Sequence, residues 1–216
     1  MHPDWQNSIH VYSENFSEPE PQYLKELTHY TWRKTVNPRQ LSGHLQGRFL
    51  AQLVLMKNPN CIWEIGSFTG YATACLAENL AENAEIHAFE ADAEIAYKAQ
   101  EFWKPYSFMQ KVQWHIGEAL NQFSKCKTQP DFIFVDADKK NYSQYLDVVF
   151  PLLPIGGIIL FDNTLWSGKV IDSVELESDN DTKIMHSFNL KASQLKNAKT
   201  LLIPIRDGLT LIQKIS

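Results

Sequence analysis

The chain has 216 residues, 44% hydrophobic and 21% charged, an ordinary globular composition that excludes collagen-like and disordered architectures and suits one α/β domain. Its 20 lysines and arginines against 25 acids leave a net charge of −5, so no phosphate-neutralising face is expected and nucleic acid is excluded as a partner. Cys61, Cys75 and Cys126 are too few and too scattered for a disulfide framework or a paired-cysteine zinc site, which with the lack of a signal-peptide pattern at the start or any bilayer-spanning apolar run predicts a cytoplasmic protein with no membrane partner.

Taken in chain order, residues 19–34 read as a helix carrying Tyr23, Leu24, Leu27 and Trp32, ended before Pro38. Ser42 is suited to cap a second helix, whose Leu45, Phe49, Leu50, Leu53 and Val54 recur at three- to four-residue spacing until Asn58-Pro59. The period then changes. Strand 61–65 ends in Gly66 and leads to a helix over 70–80, followed by strand 85–89, helix 92–103, strand 112–116 and a short helix over 118–123. Residues 131–135 are apolar after the first, as a strand covered on both faces must be. Helix 142–153 then passes through Pro154-Ile155-Gly156-Gly157 into strand 158–161. Strands 200–205 and 209–215 flank Arg206-Asp207-Gly208 and form an antiparallel hairpin. The expected fold is α/β: a doubly wound, mostly parallel sheet with an antiparallel C-terminal strand at its edge and extra N-terminal helices. Residues 1–216 form a single domain, with 1–41 a helical extension and 42–216 the core.

Ligands of such sheets sit beyond the carboxyl ends of the strands, so the residues after each strand are the first candidates. The first loop, Glu64-Ile65-Gly66-Ser67-Phe68-Thr69-Gly70-Tyr71, is a G-x-x-x-G rather than the G-x-G-x-x-G of dinucleotide sites. An acid at Glu64 repels phosphate and suits an ammonium or sulfonium ligand such as S-adenosylmethionine. Glu90 follows the second strand, where a carboxylate can accept two ribose hydroxyls. The competing reading is a solvated acid in the run Glu90, Asp92, Glu94.

The stretches Trp63 to Tyr71, Phe132 to Tyr142 (FIFVDADKKNY) and Asp162 to Gly168 (DNTLWSG), with Phe188-Asn189 and residues 204–209, closely resemble the cation-dependent O-methyltransferases, the caffeoyl-CoA and catechol O-methyltransferase group. The resemblance runs from about Ser42 to the end. It implies the seven-stranded methyltransferase sheet, S-adenosylmethionine as cofactor, a small catechol-like acceptor and a homodimer formed through helix 19–34 by Tyr23, Leu27 and Trp32. The cofactor contacts it implies, together with the strand-end rule, are Glu64, Gly66, Ser67, Gly70, Tyr71, Glu90, Gly117, Ala119 and Asp136.

Phenol methylation needs a phenolate, yet an unperturbed phenol titrates near ~10. Asp136 closes one strand and Asp162-Asn163 the next, so three oxygen donors can converge, a set that selects Mg²⁺ first, with Mn²⁺ or Ca²⁺ as alternatives. The family analogy makes Asp136, Asp162 and Asn163 the metal ligands, Lys139 the general base and Trp166 a wall of the acceptor pocket. The same Asp and Asn residues are also ordinary turn formers, and Lys139-Lys140 can be merely solvated. Asp138 is expected to brace the loop. Glu175, Glu177, Asp179 and Asp181 read as a solvated loop, and His44 and His115 have no ligand partner at metal spacing. Gln40, where many members carry methionine, and Arg206, where many carry a small residue, depart from the family pattern. Two other functions compete: a non-catalytic S-adenosylmethionine-binding module, and a nicotinamide-dependent oxidoreductase, which the glycine spacing disfavours.

Overall fold

The computed structural model describes residues 5–216. Its strands are β1 (Cys61–Ile65), β2 (Glu85–Glu90), β3 (Val112–Ile116), β4 (Phe132–Val135), β5 (Ile158–Asp162), β6 (Ala198–Ile203) and β7 (Leu209–Lys214). They form one sheet in the order β3-β2-β1-β4-β5-β7-β6, with β1 to β5 parallel. The order reverses between β1 and β4, which opens a crevice at their carboxyl ends.

Period-two alternation sorts the strand side chains onto two faces. Ile62, Phe132, Phe134 and Leu160 pack on one side with Leu24, Leu27, Leu50 and Leu76. Trp63, Ile65, Ile133, Val135 and Phe161 pack on the other with Tyr142, Leu146, Met185 and Phe188. Burial of each large apolar side chain contributes about 1.5–3 kcal/mol. The N-terminal helices α1 (Trp5–Asn15), α2 (Gln22–Lys34) and α3 (His44–Lys57) precede the sheet. Leu24 and Leu27 join the first cluster, so the extension shares the core of the sheet rather than forming one of its own. Among the described residues, no helix is long and apolar enough to cross a membrane.

The structure corrects four local expectations. Helix α1 has no counterpart in the sequence reading, because its 11 residues lack an apolar stripe strong enough to register. Gly43, not Ser42, occupies the N-cap of α3; with φ +78 it makes a bend that a serine resists, and Ser42 is buried instead. The antiparallel strand is β7, yet β7 is not the edge: it lies between β5 and β6 and runs against both. Burial explains this, since Leu209, Thr210 and Ile212 of β7 are inaccessible whereas Leu201 of β6 is 59% exposed. The acidic stretch is not a loop. It forms α8 (Ser173–Ser178) and the start of α9 (Asn180–Ser193), with Asp172 and Asp179 accepting backbone N–H groups as N-caps.

Candidate active site

A cavity of about 1030 Å³ opens over the carboxyl ends of the parallel strands. Its lining includes Gly66, Glu90, Gly117 and Ala119 together with Asp136, Lys139, Asp162, Asn163 and Trp166. The helices that follow these strands are α4 (Tyr71–Ala77), α5 (Ala93–Trp103), α6 (Ala119–Gln122) and α7 (Tyr142–Val149).

Gly66 ends β1 at φ +90, and a Cβ there would stand 2.2 Å from the Asp136 carbonyl oxygen. Only glycine lets the first loop lie against the Asp136 backbone. Glu90 is fixed by two amides, accepting from Phe68 N at 2.8 Å and Asp92 N at 2.9 Å. Burial still raises its pKa, and these bonds offset part of the penalty. Its carboxylate therefore faces the cavity in a set orientation with lone pairs to spare.

Four of the expected cofactor contacts, Glu64, Ser67, Gly70 and Tyr71, do not line the cavity. Tyr71 is buried in the core with its hydroxyl donating to Glu20 Oε1 at 2.5 Å. Gly70 packs against Trp103, whose Nε1 a Cβ would approach to 2.5 Å; Trp103 Nε1 donates to the Thr69 carbonyl. These two residues shape the loop, and Tyr71 stands in the core away from the cavity lining. Glu64 is wholly buried behind the loop, and neither carboxylate oxygen has an aligned hydrogen-bond partner. Burial drives its pKa well above the usual carboxylate range, with Asp136 and Glu90 adding to the rise and neighbouring Thr73 offsetting part of it. Ser67 Oγ is likewise buried without a partner.

The second half of the site is a charge cluster. Asp162, 2% exposed, accepts from Gln46 Nε2 at 2.6 Å and from Asn163 N at 2.7 Å. Burial, and then the Asp136 carboxylate, push its pKa up to about 6. Lys139 Nζ reaches Asp136 Oδ1 at 2.7 Å and donates to the Tyr142 hydroxyl at 2.8 Å. Tyr142 in turn donates toward the Asp162 carbonyl at 3.0 Å, so one buried phenol ties the ends of β4 and β5 to the lysine. Asn163, at φ +57, follows directly. Two carboxylates, with Asp136 raising the cost of charging Asp162, beside an amide oxygen, are a donor set suited to a hard divalent cation, and Lys139 Nζ already stands against Asp136. Asp138 accepts from Tyr145 Oη at 2.7 Å and braces the loop. Lys140 is exposed and stands 3.7 Å from Asp181. Arg206, on the cavity wall, donates to the Leu41 carbonyl at 3.1 Å, and Gln40 lies on the same wall.

Sequence reasoning missed Gln46 and gave Tyr142 no role. The signal for Gln46 was a polar residue in the buried stripe with Leu50 and Val54.

Residues 13–215 match the family model described as O-methyltransferase. The chain belongs to the O-methyltransferase family. Caffeoyl-CoA O-methyltransferase 1 of Nicotiana tabacum is 32% identical over 209 residues, 92% of this chain and 86% of that protein. Caffeoyl-CoA O-methyltransferase of Populus kitakamiensis is 32% identical over 95% of this chain and 92% of its own length. Among solved structures, the SAH-bound methyltransferase PaMTH1 of Podospora anserina superposes with a TM-score of 0.89 at 26% identity, covering 100% of this chain and 97% of that one. The O-methyltransferase TomG of Streptomyces achromogenes, solved in complex with SAM, shares the fold with a TM-score of 0.86 at 23% identity, each chain fully covered. The family and enzyme class that the motifs implied are thereby borne out, as is the seven-stranded sheet.

Proposed function

We propose that this O-methyltransferase transfers the methyl group of S-adenosylmethionine to one hydroxyl of a small catechol-like aromatic, with a divalent cation, Mg²⁺ first, held by Asp136, Asp162 and Asn163. The observation that carries the reading is that these three residues and Lys139 line the same cavity as Gly66 and Glu90. The names of the tobacco and poplar relatives and the SAH-bound fungal relative support it.

In this reading Glu90 accepts the ribose hydroxyls with its remaining lone pairs, while Gly66, Gly117 and Ala119 leave room for the nucleoside. The cation, when bound, supplies electrostatic stabilisation of the phenolate and a chelating anchor for vicinal hydroxyls. Trp166 offers a flat wall to the acceptor ring. Lys139 takes the proton from the acceptor hydroxyl. To do so it first releases its ammonium proton to solvent and leaves the ion pair with Asp136 while Tyr142 keeps it in place, and the neutral amine then accepts the hydroxyl proton. S-adenosylmethionine, when bound, would supply the methyl group to that oxygen in a single in-line displacement, its sulfonium becoming a neutral thioether. Bond formation and bond breaking balance in one step, with no covalent enzyme intermediate.

The free thiols Cys61, Cys75 and Cys126 support a reducing, cytoplasmic setting. Of the residues expected to form the homodimer contact, Leu27 is fully buried within the chain and Tyr23 packs on Trp103, whereas Trp32 is 58% exposed. The proposed homodimer therefore rests on Trp32, and light scattering with Trp32→Ala tests it. The reaction itself is tested by following label from methyl-tritiated S-adenosylmethionine into caffeate. Transfer is expected, and Lys139→Ala should cut turnover by ~10²–10⁴-fold if it is the general base. Tight S-adenosylhomocysteine binding without transfer to any dihydroxy aromatic would instead indicate the non-catalytic binding module.

A further inference from the structure

His115, which has no ligand partner at sequence spacing, acquires two in space. His87 of β2 and His115 of β3 stack with ring centroids 5.1 Å apart, and Cys126 follows the turn Phe123–Lys125 beside them. One ligand atom from each lies within 4.8 Å of the other two. His87 Nδ1 is 2.8 Å from His115 Nε2, and Cys126 Sγ is 3.9 Å from that same nitrogen. None of the three lines the cavity.

A ring nitrogen carries either one proton or one lone pair, so His115 Nε2 cannot form a linear hydrogen bond with both neighbours at once. An ion at the centre of the triangle engages all three atoms together. On the far side of His87, Nε2 is buried without an aligned partner, 3.3 Å from Glu85 Oε1. A carboxylate there favours the proton on Nε2 and leaves the lone pair on Nδ1, the atom that faces His115. Metal-ligating histidines are commonly backed by a carboxylate in this way. The size is also right. Tetrahedral zinc with Zn–N of about 2.0–2.1 Å and Zn–S of about 2.3 Å separates its ligands by roughly 3.3–3.6 Å, so the two imidazole nitrogens, 2.8 Å apart, part by about half an ångström and Cys126 Sγ, 3.9 Å from His115 Nε2, closes by about 0.3 Å.

We propose that His87, His115 and Cys126 form a zinc site at the β2–β3 edge of the sheet, distinct from the cavity, with Cys126 binding as thiolate and water in the fourth position. Binding releases the thiol proton to solvent and involves no redox change. Two imidazoles and a thiolate select Zn²⁺ over Mg²⁺, whereas the oxygen donors in the cavity have the opposite preference. The half-exposed state of His115 and Cys126 leaves an entry path.

The full chain, stripped with EDTA, saturated with Mg²⁺ and then titrated with Co²⁺ as a visible stand-in, tests this. One Co²⁺ per chain should give tetrahedral d–d bands and a thiolate-to-cobalt charge-transfer band, which Zn²⁺ displaces and excess Mg²⁺ does not. Cys126→Ser should lose the charge-transfer band, and His115→Asn should weaken Co²⁺ binding by roughly tenfold or more. His115→Asn carries the test if Cys126→Ser does not fold. Cys61→Ser and Asp162→Asn should keep the band. Absence of a thiolate band in the parent chain overturns the proposal, as does a band that survives Cys126→Ser and vanishes in Cys61→Ser.

Discussion

Gln46 and Asp162 stand 116 positions apart in the chain, and Gln46 Nε2 donates to Asp162 Oδ2 at 2.6 Å with the glutamine fully buried. A helix ahead of the sheet thus orients an acid at the end of β5. The bond also favours the charged carboxylate against burial and the repulsion of Asp136.

Replacing Gln46 with leucine removes the donor and leaves Asp162 less well held. The Mg²⁺ concentration for half-maximal activity should rise about 10–100-fold, as for lost supports of metal ligands. The acid limb of the rate profile should also move to higher pH, because the lost bond was lowering a pKa already pushed up to about 6. Mg²⁺ titrations of initial rate between pH 5.5 and pH 8, run at roughly half-unit steps, check both outcomes.

Glu64 makes a prediction about stability. Its folded pKa is raised well above that of the unfolded chain, so its favourable contribution is complete below the unfolded pKa and is lost as pH rises through the folded one. Glu64→Gln keeps the shape and removes the ionisable group. The variant should melt higher than the parent at pH 8, and the difference should shrink toward pH 4. Calorimetry across that range would contradict this if the parent gained stability over the variant as pH rose.

Gly66→Ala places a methyl group 2.2 Å from the Asp136 carbonyl at φ +90. Left-handed backbone alone costs an alanine about 1–2 kcal/mol, and the overlap adds to it. Each kcal/mol is worth about 2–4 °C in a chain of this size, so thermal melting should fall by several degrees. S-adenosylhomocysteine should lose most of its stabilising effect on melting, since the loop can no longer lie against the end of β4.

The parallel half of the sheet was legible because its strands are short apolar runs closed by Gly66, Glu90, Gly117, Asp136 and Asp162, and strand ends are where function gathers. The hairpin was legible, yet its order in the sheet was not: Leu201 and Leu209 look alike in sequence, and only packing decides which strand is covered. Tyr71 illustrates a similar limit. It follows the glycine loop in the motif, but helix periodicity turns it into the core. The acids of the cavity declared themselves through position, whereas Gln46 and Tyr142, which hold them, lie in other elements and meet them only in the folded chain. His87 and His115 are separated by 28 residues, and their pairing depends on the register of β2 and β3.

In the proposed reaction Asp136, Asp162 and Asn163 hold a cation that chelates vicinal hydroxyls. Its most direct test is the rate of methyl transfer to caffeate and to its single-hydroxyl analogue, each measured in EDTA and again after restoring Mg²⁺ or Mn²⁺. Expected are no transfer in EDTA, recovery with either metal, a much poorer rate on the monohydroxy acceptor, and loss of activity in Asp162→Ala with S-adenosylhomocysteine still bound. Undiminished transfer in EDTA, or equal rates on the two acceptors, would contradict it.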